Sequence, residues 1–170
     1  RITSVLTGDV TPDGRDIVQS VNANETSIHG AEAGFSADLS DILSLQAILN
    51  YTWGSEINAG DPAQPADRIP PLSGRISLQA DLSAAFALEG WVASAEAQNR
   101  LSDRDIRDVR INPNGTPGWA IVGTKLTWMP DDIWQVQLVA DNLLDKRYRV
   151  HGSGIDSPGR NFLLSVRATW

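Results

Sequence analysis

The final stretch of the chain alternates in polarity from residue to residue. Apolar side chains occupy every second position from Phe162 to Trp170, and the positions between them are polar except for Leu163. A repeat of two residues puts these two sets on opposite faces of a β-strand. Chain ends of soluble domains are usually polar and frayed, whereas this strand ends on an aromatic side chain. We therefore expect a strand of a membrane barrel with its last aromatic at the membrane–water interface.

The same alternation recurs along the chain and is interrupted by turn-forming residues. Short connections follow Leu39, Leu82 and Met129, and long polar loops follow Leu6, Trp53, Asn99 and Val150. Short turns on one side and long loops on the other are typical of outer-membrane barrels. The sequence predicts an all-β, antiparallel transmembrane β-barrel wall with about eight strands, at residues 2–6, 18–39, 42–53, 72–82, 86–99, 118–128, 133–150 and 161–170.

The predicted strand at 86–99 is the least regular. Its pattern puts Trp91 on one face with the alanines 93, 95 and 97, and it leaves Glu89 on that same apolar face. We interpret Glu89 as a sign of a bulge or of the edge of the membrane. The stretch is also rich in alanine, so a helix is the competing local interpretation.

Alternation alone does not distinguish a membrane barrel from a soluble sandwich or lipocalin, in which the apolar face points inward. Hydrophobic residues make up 41% of the chain, but no apolar run is long enough for a transmembrane helix. The position of the tryptophans near strand ends favours the membrane, because such rings concentrate at its interfaces; these are Trp53, Trp128, Trp134 and Trp170.

The composition excludes several functions. A net charge of -7 argues against a nucleic-acid partner, and the lack of cysteine excludes thiolate chemistry. His29 in a strand is interpreted as an ordinary strand or surface histidine, whereas for His151 in a loop a metal ligand stays the alternative to a surface histidine. The mixed charges between Asp103 and Arg110 are interpreted as a solvated loop. We expect no catalytic residues, no cofactor and no metal, and hence no enzyme.

Two motifs precede the final strand. Residues 142–148 read Asn-Leu-Leu-Asp-Lys-Arg-Tyr, and Pro158-Gly159-Arg160 leads into the strand itself, with Arg160 expected to pair with acidic side chains. Together with the terminal strand, these motifs resemble the C-terminus of TonB-dependent outer-membrane receptors. Trp170 departs from the phenylalanine that this family more often has, but it keeps the aromatic character. The residues that carry the resemblance are Asn142, Leu143, Asp145, Tyr148, Pro158, Gly159 and Arg160.

This resemblance implies a location in the bacterial outer membrane and a larger barrel of about twenty-two strands. Residues 1–170 would be its C-terminal portion, without the plug domain and the earlier strands. The implied function is uptake of a scarce ligand: siderophore-iron, haem, cobalamin or a carbohydrate. The loops at 54–69 and 100–116 are the predicted ligand contacts.

The resemblance also implies several partners. The outer face would contact membrane lipid, and the TonB complex would bind through an N-terminal part outside these residues. The outer-membrane assembly machinery would recognise the last strand through Phe162, Leu164, Val166 and Trp170. The alternatives are a small self-contained eight-stranded outer-membrane barrel, serving as an anchor or an enzyme, and a soluble lipocalin-like binder.

Overall fold

The computed structural model describes residues 2–22, 25–57 and 62–170. Within these ranges the chain forms ten strands and one short helix. In chain order they are β1 (Ile2–Val10), β2 (Asp16–Asn22), β3 (Glu25–Ser40), β4 (Leu43–Ile57), β5 (Gln64–Pro65), β6 (Ser73–Ser83), β7 (Phe86–Ala95), α1 (Asp103–Arg107), β8 (Trp119–Trp128), β9 (Trp134–Asp141) and β10 (Asn161–Ala168). No helix in these ranges is long and apolar enough to cross a membrane.

Eight of the strands form one antiparallel sheet in the order β10-β9-β8-β7-β6-β4-β3, with β5 paired to the side of β4. Strands β1 and β2 form a separate hairpin. The predicted all-β antiparallel wall is confirmed. The sheet does not close on itself within the described residues, because β10 pairs there only with β9 and β3 only with β4.

The pairing register confirms the predicted apolar face of the last strands. Leu164 lies opposite Leu138, which lies opposite Leu126 on the next strand. Phe162 and Leu164 are about two-thirds exposed, at 65% and 66%. A continuous exposed apolar face of this size is what a wall presents to lipid, and we call it the outer face.

The assignment of faces in β7 was wrong. Leu88 pairs with Leu126 and Val92 with Val122, so these two residues share the outer face, whereas Glu89 and Trp91 lie on the inner face. Glu89 lies opposite Lys125 in an unbroken ladder, without the bulge that we expected. Small alanines and one tryptophan on the inner face had made that face look apolar. The competing helix is also wrong, since the segment pairs with strands on both sides.

Several boundaries differ from the prediction. The strand expected at 18–39 is two strands, because β2 pairs with β1 in the separate hairpin; positions 23–24 lie outside the described residues. The strand expected at 133–150 ends at Asp141, because the next residue, Asn142, has a φ of 50° that extended backbone does not adopt. The last strand ends at Ala168, before Trp170.

Candidate functional site

Three loops meet at the end of the sheet opposite its short turns. They are residues 62–72 before β6, 98–117 before β8 and 142–160 before β10, and we call them the loop cluster. Most of the buried side chains of the described residues lie here rather than in the wall. They include Ala66, Ile69, Gln98, Ser102, Asp105, Ile111, Thr116 and Asn142.

Asp105 is the buried centre of the contact between the first two loops. Only 1% of it is exposed. Its carboxylate accepts the backbone N–H of Arg68 at 3.1 and 3.2 Å and the backbone N–H of Ser102 at 3.3 Å. In return, the Asp105 N–H donates to the Ser102 hydroxyl, which completes a capping box at the start of α1. The interpretation of the charges between Asp103 and Arg110 as a solvated loop was therefore wrong for Asp105.

Charged pairs surround this buried carboxylate. The Ser102 hydroxyl donates to the Asp67 carboxylate at 2.8 Å, and the Arg104 guanidinium donates to the other oxygen of Asp67 at 3.1 Å. Arg68 and Arg110 both donate to Asp108. The first two loops are therefore joined by backbone, hydroxyl and ionic contacts together.

The third loop is joined to the others through Thr116. Gln98 pairs with Thr116 across the second loop, and its side-chain amide donates to the Ile69 carbonyl of the first loop at 2.7 Å. The Thr116 hydroxyl lies 2.9 Å from Nδ1 of His151 in the third loop. All three loops are thus connected by one series of hydrogen bonds.

His151 is half-buried at this junction, and its Nε2 atom is buried without a hydrogen-bond partner among the described residues. Burial lowers the pKa of the His151 imidazole below its usual range. The Asp105 carboxylate opposes this shift, and the Arg68 guanidinium reinforces it. The ring is therefore neutral at physiological pH.

Asn142 fixes the start of the third loop. Its side chain is 1% exposed. The amide nitrogen donates to the carbonyls of Lys146 and Pro158, and the amide oxygen accepts the Lys146 N–H at 2.8 Å. One side chain thereby joins both ends of the loop.

A second contact lies beside it. Asp145 has a φ of 53° and accepts the backbone N–H of Arg160 at 2.8 Å. The Arg160 side chain donates to the carbonyl of Leu143 rather than to an acid. A Cβ atom on Gly159 would lie 2.5 Å from the Asp145 carboxylate, so this close approach requires glycine. The structure thus brings together six of the seven residues singled out for the resemblance: Asn142, Leu143, Asp145, Pro158, Gly159 and Arg160.

Tyr148, the seventh, lies nearby and packs its ring against Trp119 with centroids 4.5 Å apart. Arg147 and Arg149 both donate to Asp156 at 2.9 Å. These two hydrogen bonds hold the pKa of the Asp156 carboxyl below its usual range. The residues of the proposed assembly signal lie apart from this contact. Phe162, Leu164 and Val166 share the outer face of β10, and Trp170 is fully exposed.

The inner face carries a charged group that sequence reasoning missed. Glu89 accepts from Arg75 at 2.9 Å and also pairs with Lys125, so three adjacent strands contribute one ion-pair network. Arg75 also packs over the Trp91 ring, 4.5 Å from its centroid. Only the register of the sheet brings these side chains together, since they lie far apart in sequence.

The described residues contain no group of three or more side chains that could hold a metal ion. His29 is exposed on β3 opposite Trp53, far from His151 along the chain. Of the two predicted ligand-contact loops, 100–116 contains α1, and 54–69 contains β5. Residues 58–61 of the latter lie outside the described residues.

The fold is similar to those of several solved structures. The copper transporter OprC matches 99% of this chain at a TM-score of 0.77 and 20% identity. The siderophore receptor PiuA of Acinetobacter baumannii matches 98% at a TM-score of 0.64 and 14% identity. The chain covers 26% and 24% of these two proteins. At such identities the likeness is one of fold.

A sequence relative is the ferric-pyoverdine M114 receptor PbuA of Pseudomonas sp. (strain M114), which is 26% identical over 165 residues. The match takes in 92% of this chain and 20% of that receptor, so the chain spans about one-fifth of its relative's length. The family described as TonB dependent receptor-like, beta-barrel, matches residues 1–143. The chain therefore belongs to the TonB-dependent receptors of the bacterial outer membrane and forms part of their β-barrel domain.

Proposed function

We propose that this chain is part of a receptor that imports a ferric siderophore, to which it contributes barrel wall and external loops. The observation that carries the proposal is the match of 92% of the chain to a ferric-pyoverdine receptor. Of the four ligand classes left open by the sequence, an iron chelate is thus favoured over haem, cobalamin and carbohydrate. The role is transport without catalysis.

We assign ligand contact to the loops at 54–69 and 100–116. They lie at the end of the sheet where long loops gather, and their described parts are held together by Asp105 and Gln98. Exposed guanidinium groups at Arg104, Arg107 and Arg110 give this surface donors suited to the oxygen atoms of an anionic chelate.

The remaining wall would come from other parts of a longer protein. Open strand edges carry unpaired N–H and C=O groups, which lipid does not tolerate, and β3 and β10 do not pair with each other in the described sheet. The chain spans between 20% and 26% of the lengths of PbuA and OprC. We assign residues 1–170 to the C-terminal portion of the barrel, with the plug, the earlier strands and the contact with the TonB complex elsewhere.

The test of the ligand is uptake of radioactive iron by cells whose own siderophore receptors are deleted and which express the full-length receptor. We expect uptake from ferric pyoverdine or a ferric catecholate, lost when TonB is deleted from the same cells. Haem, cobalamin, a maltooligosaccharide and copper(II) are supplied in parallel. If the cells take up one of these four compounds and neither ferric chelate, the proposal of a ferric siderophore as the ligand is wrong.

We also assign the assembly signal to Phe162, Leu164, Val166 and Trp170, because their apolar side chains line the exposed edge strand and its end. Trp170→Ser in the full-length receptor should lower the amount of heat-modifiable, folded barrel in the outer membrane. Thr169→Ser is the matched control. Equal amounts of folded barrel from both variants would remove Trp170 from the signal.

A further inference from the structure

We infer that Asp105 is a positioning residue, which fixes the loops 62–72 and 98–111 as one preformed unit before any ligand arrives. This inference rests on the proposed function, since it concerns how these loops meet the ferric chelate. The claim that the two loops form a unit concerns the receptor without ligand and is tested separately.

Two backbone N–H groups depend on one buried carboxylate as their acceptor. They belong to Arg68 and Ser102, and the carboxylate is that of Asp105, which is almost completely buried. Without the Asp105 carboxylate, the N–H of the buried residue Ser102 would lose its acceptor, and the bond from Arg68 to the second loop would be absent, which carries a free-energy penalty. Hydrogen bonds to an ionised acceptor are also stronger than neutral ones.

The residue that donates to Asp105 from the first loop has an unusual backbone conformation. Arg68 has a φ of 51°, in the left-handed region that side chains other than glycine seldom adopt. This conformation directs its N–H at Asp105 while its guanidinium reaches Asp108 at 2.7 Å. A single residue of the first loop is therefore held at both its backbone and its side chain by the second loop.

Both loops also bury apolar side chains. Ala66, Ile69 and Ile111 are almost completely buried, although they belong to loops. Segments that open easily have few buried apolar contacts, so these buried side chains favour loops that are ordered without a ligand. Asp105 joins the two loops that carry them.

The test uses the full-length receptor in detergent micelles, with hydrogen exchange measured without ligand. In the wild type, amides of residues 62–72 and 100–111 should be protected. Asp105→Asn keeps the shape but places an amide N–H group against backbone donors, and it should speed exchange of both segments about tenfold or more. Asp132→Asn, in a turn at the opposite end of the sheet, is the matched control and should change neither segment.

The functional half is measured as iron uptake from ferric pyoverdine. Asp105→Asn should raise the half-saturating concentration about tenfold and leave the maximal rate within about twofold, because the loops are displaced while the transport path is intact. Ser102→Ala, a milder change at the same contact, should move both exchange and half-saturation in the same direction by less.

The outcomes separate the claims. Unprotected wild-type segments, or equal exchange in Asp105→Asn and wild type, would overturn the preformed unit. Faster exchange with unchanged half-saturation would overturn the positioning role. Failure of the wild type to take up either ferric pyoverdine or a ferric catecholate would count against the proposed ligand, while the exchange result would still decide whether the unit exists. Heat-modifiable mobility of each variant shows that the barrel is folded.

Discussion

The wall and the loop cluster of this molecule are held together in different ways. In the wall, large apolar side chains such as Phe162 and Leu164 are mostly exposed, and pairing between strands is the main internal contact. In the loop cluster, side chains such as Asp105 and Asn142 are buried and make several hydrogen bonds each.

This difference teaches that order in the wall depends on its surroundings, whereas order in the loops is internal. We expect the outer face of the wall to be stable only where lipid replaces water, since water would otherwise be in contact with most of its apolar area. The loops face water and pair most of their buried polar side chains internally, with Nε2 of His151 as an exception. Substitutions should therefore follow different rules in the two regions.

The largest effect is expected for a charge on the outer face. Leu138→Arg should lower the free energy of unfolding of the full-length receptor in lipid vesicles by about 2–4 kcal/mol, because the guanidinium enters hydrocarbon. Its neighbour Gln137 lies on the inner face, so Gln137→Arg is the control and should change stability little. Urea unfolding measures both. Equal losses would mean that the two faces are not lipid and lumen.

The next largest effect is expected in the loops. Asn142→Ala removes three hydrogen bonds of a buried amide and leaves the Lys146 N–H without its acceptor. Local opening of residues 142–160 should become easier by about 2–3 kcal/mol, measured by hydrogen exchange. Asn114→Ala at an exposed position should have no such effect. A loss spread over the whole wall instead would contradict the independence of the two regions.

A smaller effect tests the packing on the inner face of the wall. A Cβ atom at Gly123 would lie 2.3 Å from the Trp91 ring, whereas one at Gly90 would have nothing within 4 Å. Gly123→Ala should displace the indole from Arg75 and cost about 1–3 kcal/mol of unfolding free energy. Gly90→Ala should be close to neutral. Tryptophan fluorescence and urea unfolding would show both results, and equal stability of the two variants would contradict this packing.

The smallest effect is expected from pH. Because the pKa of His151 is lowered in the folded state, the unfolded loop takes up a proton first as the pH falls below about 6.5. The stability of the junction with Thr116 is thus present above that pH and is lost below it. Exchange of residues 150–153, corrected for intrinsic rates, should rise from pH 7.5 to 5.5 and be less pH-dependent in His151→Asn. His29→Asn, at an exposed strand position, should retain the full pH dependence of the wild type.

Most of the wall could be predicted from sequence, because alternation in a single strand reveals its faces. The inner charges could not, since Glu89 looks misplaced until Arg75 and Lys125 are brought beside it by the register. The sequence of a strand with apolar residues on both faces, such as β7, does not by itself show which face is the outer one.

In the loops the motif residues could be found by resemblance, but their roles depend on contacts distant in sequence. The end of β9 had a signal in Asn142 and Asp145, residue types that tolerate left-handed backbone. The helix α1 had one as well, in Ser102 followed three residues later by Asp105. The hydrogen bond between Arg68 and Asp105 had no signal in the sequence, because it joins positions 37 residues apart.

The series of hydrogen bonds from Ile69 through Gln98 and Thr116 to His151 has a mechanical consequence. It braces three successive hairpins across the top of the wall, so that none of them can tilt outward without straining the next. A lateral force on any one of these hairpins is therefore shared by all three. We therefore expect the loop end of this part of the wall to resist outward bending.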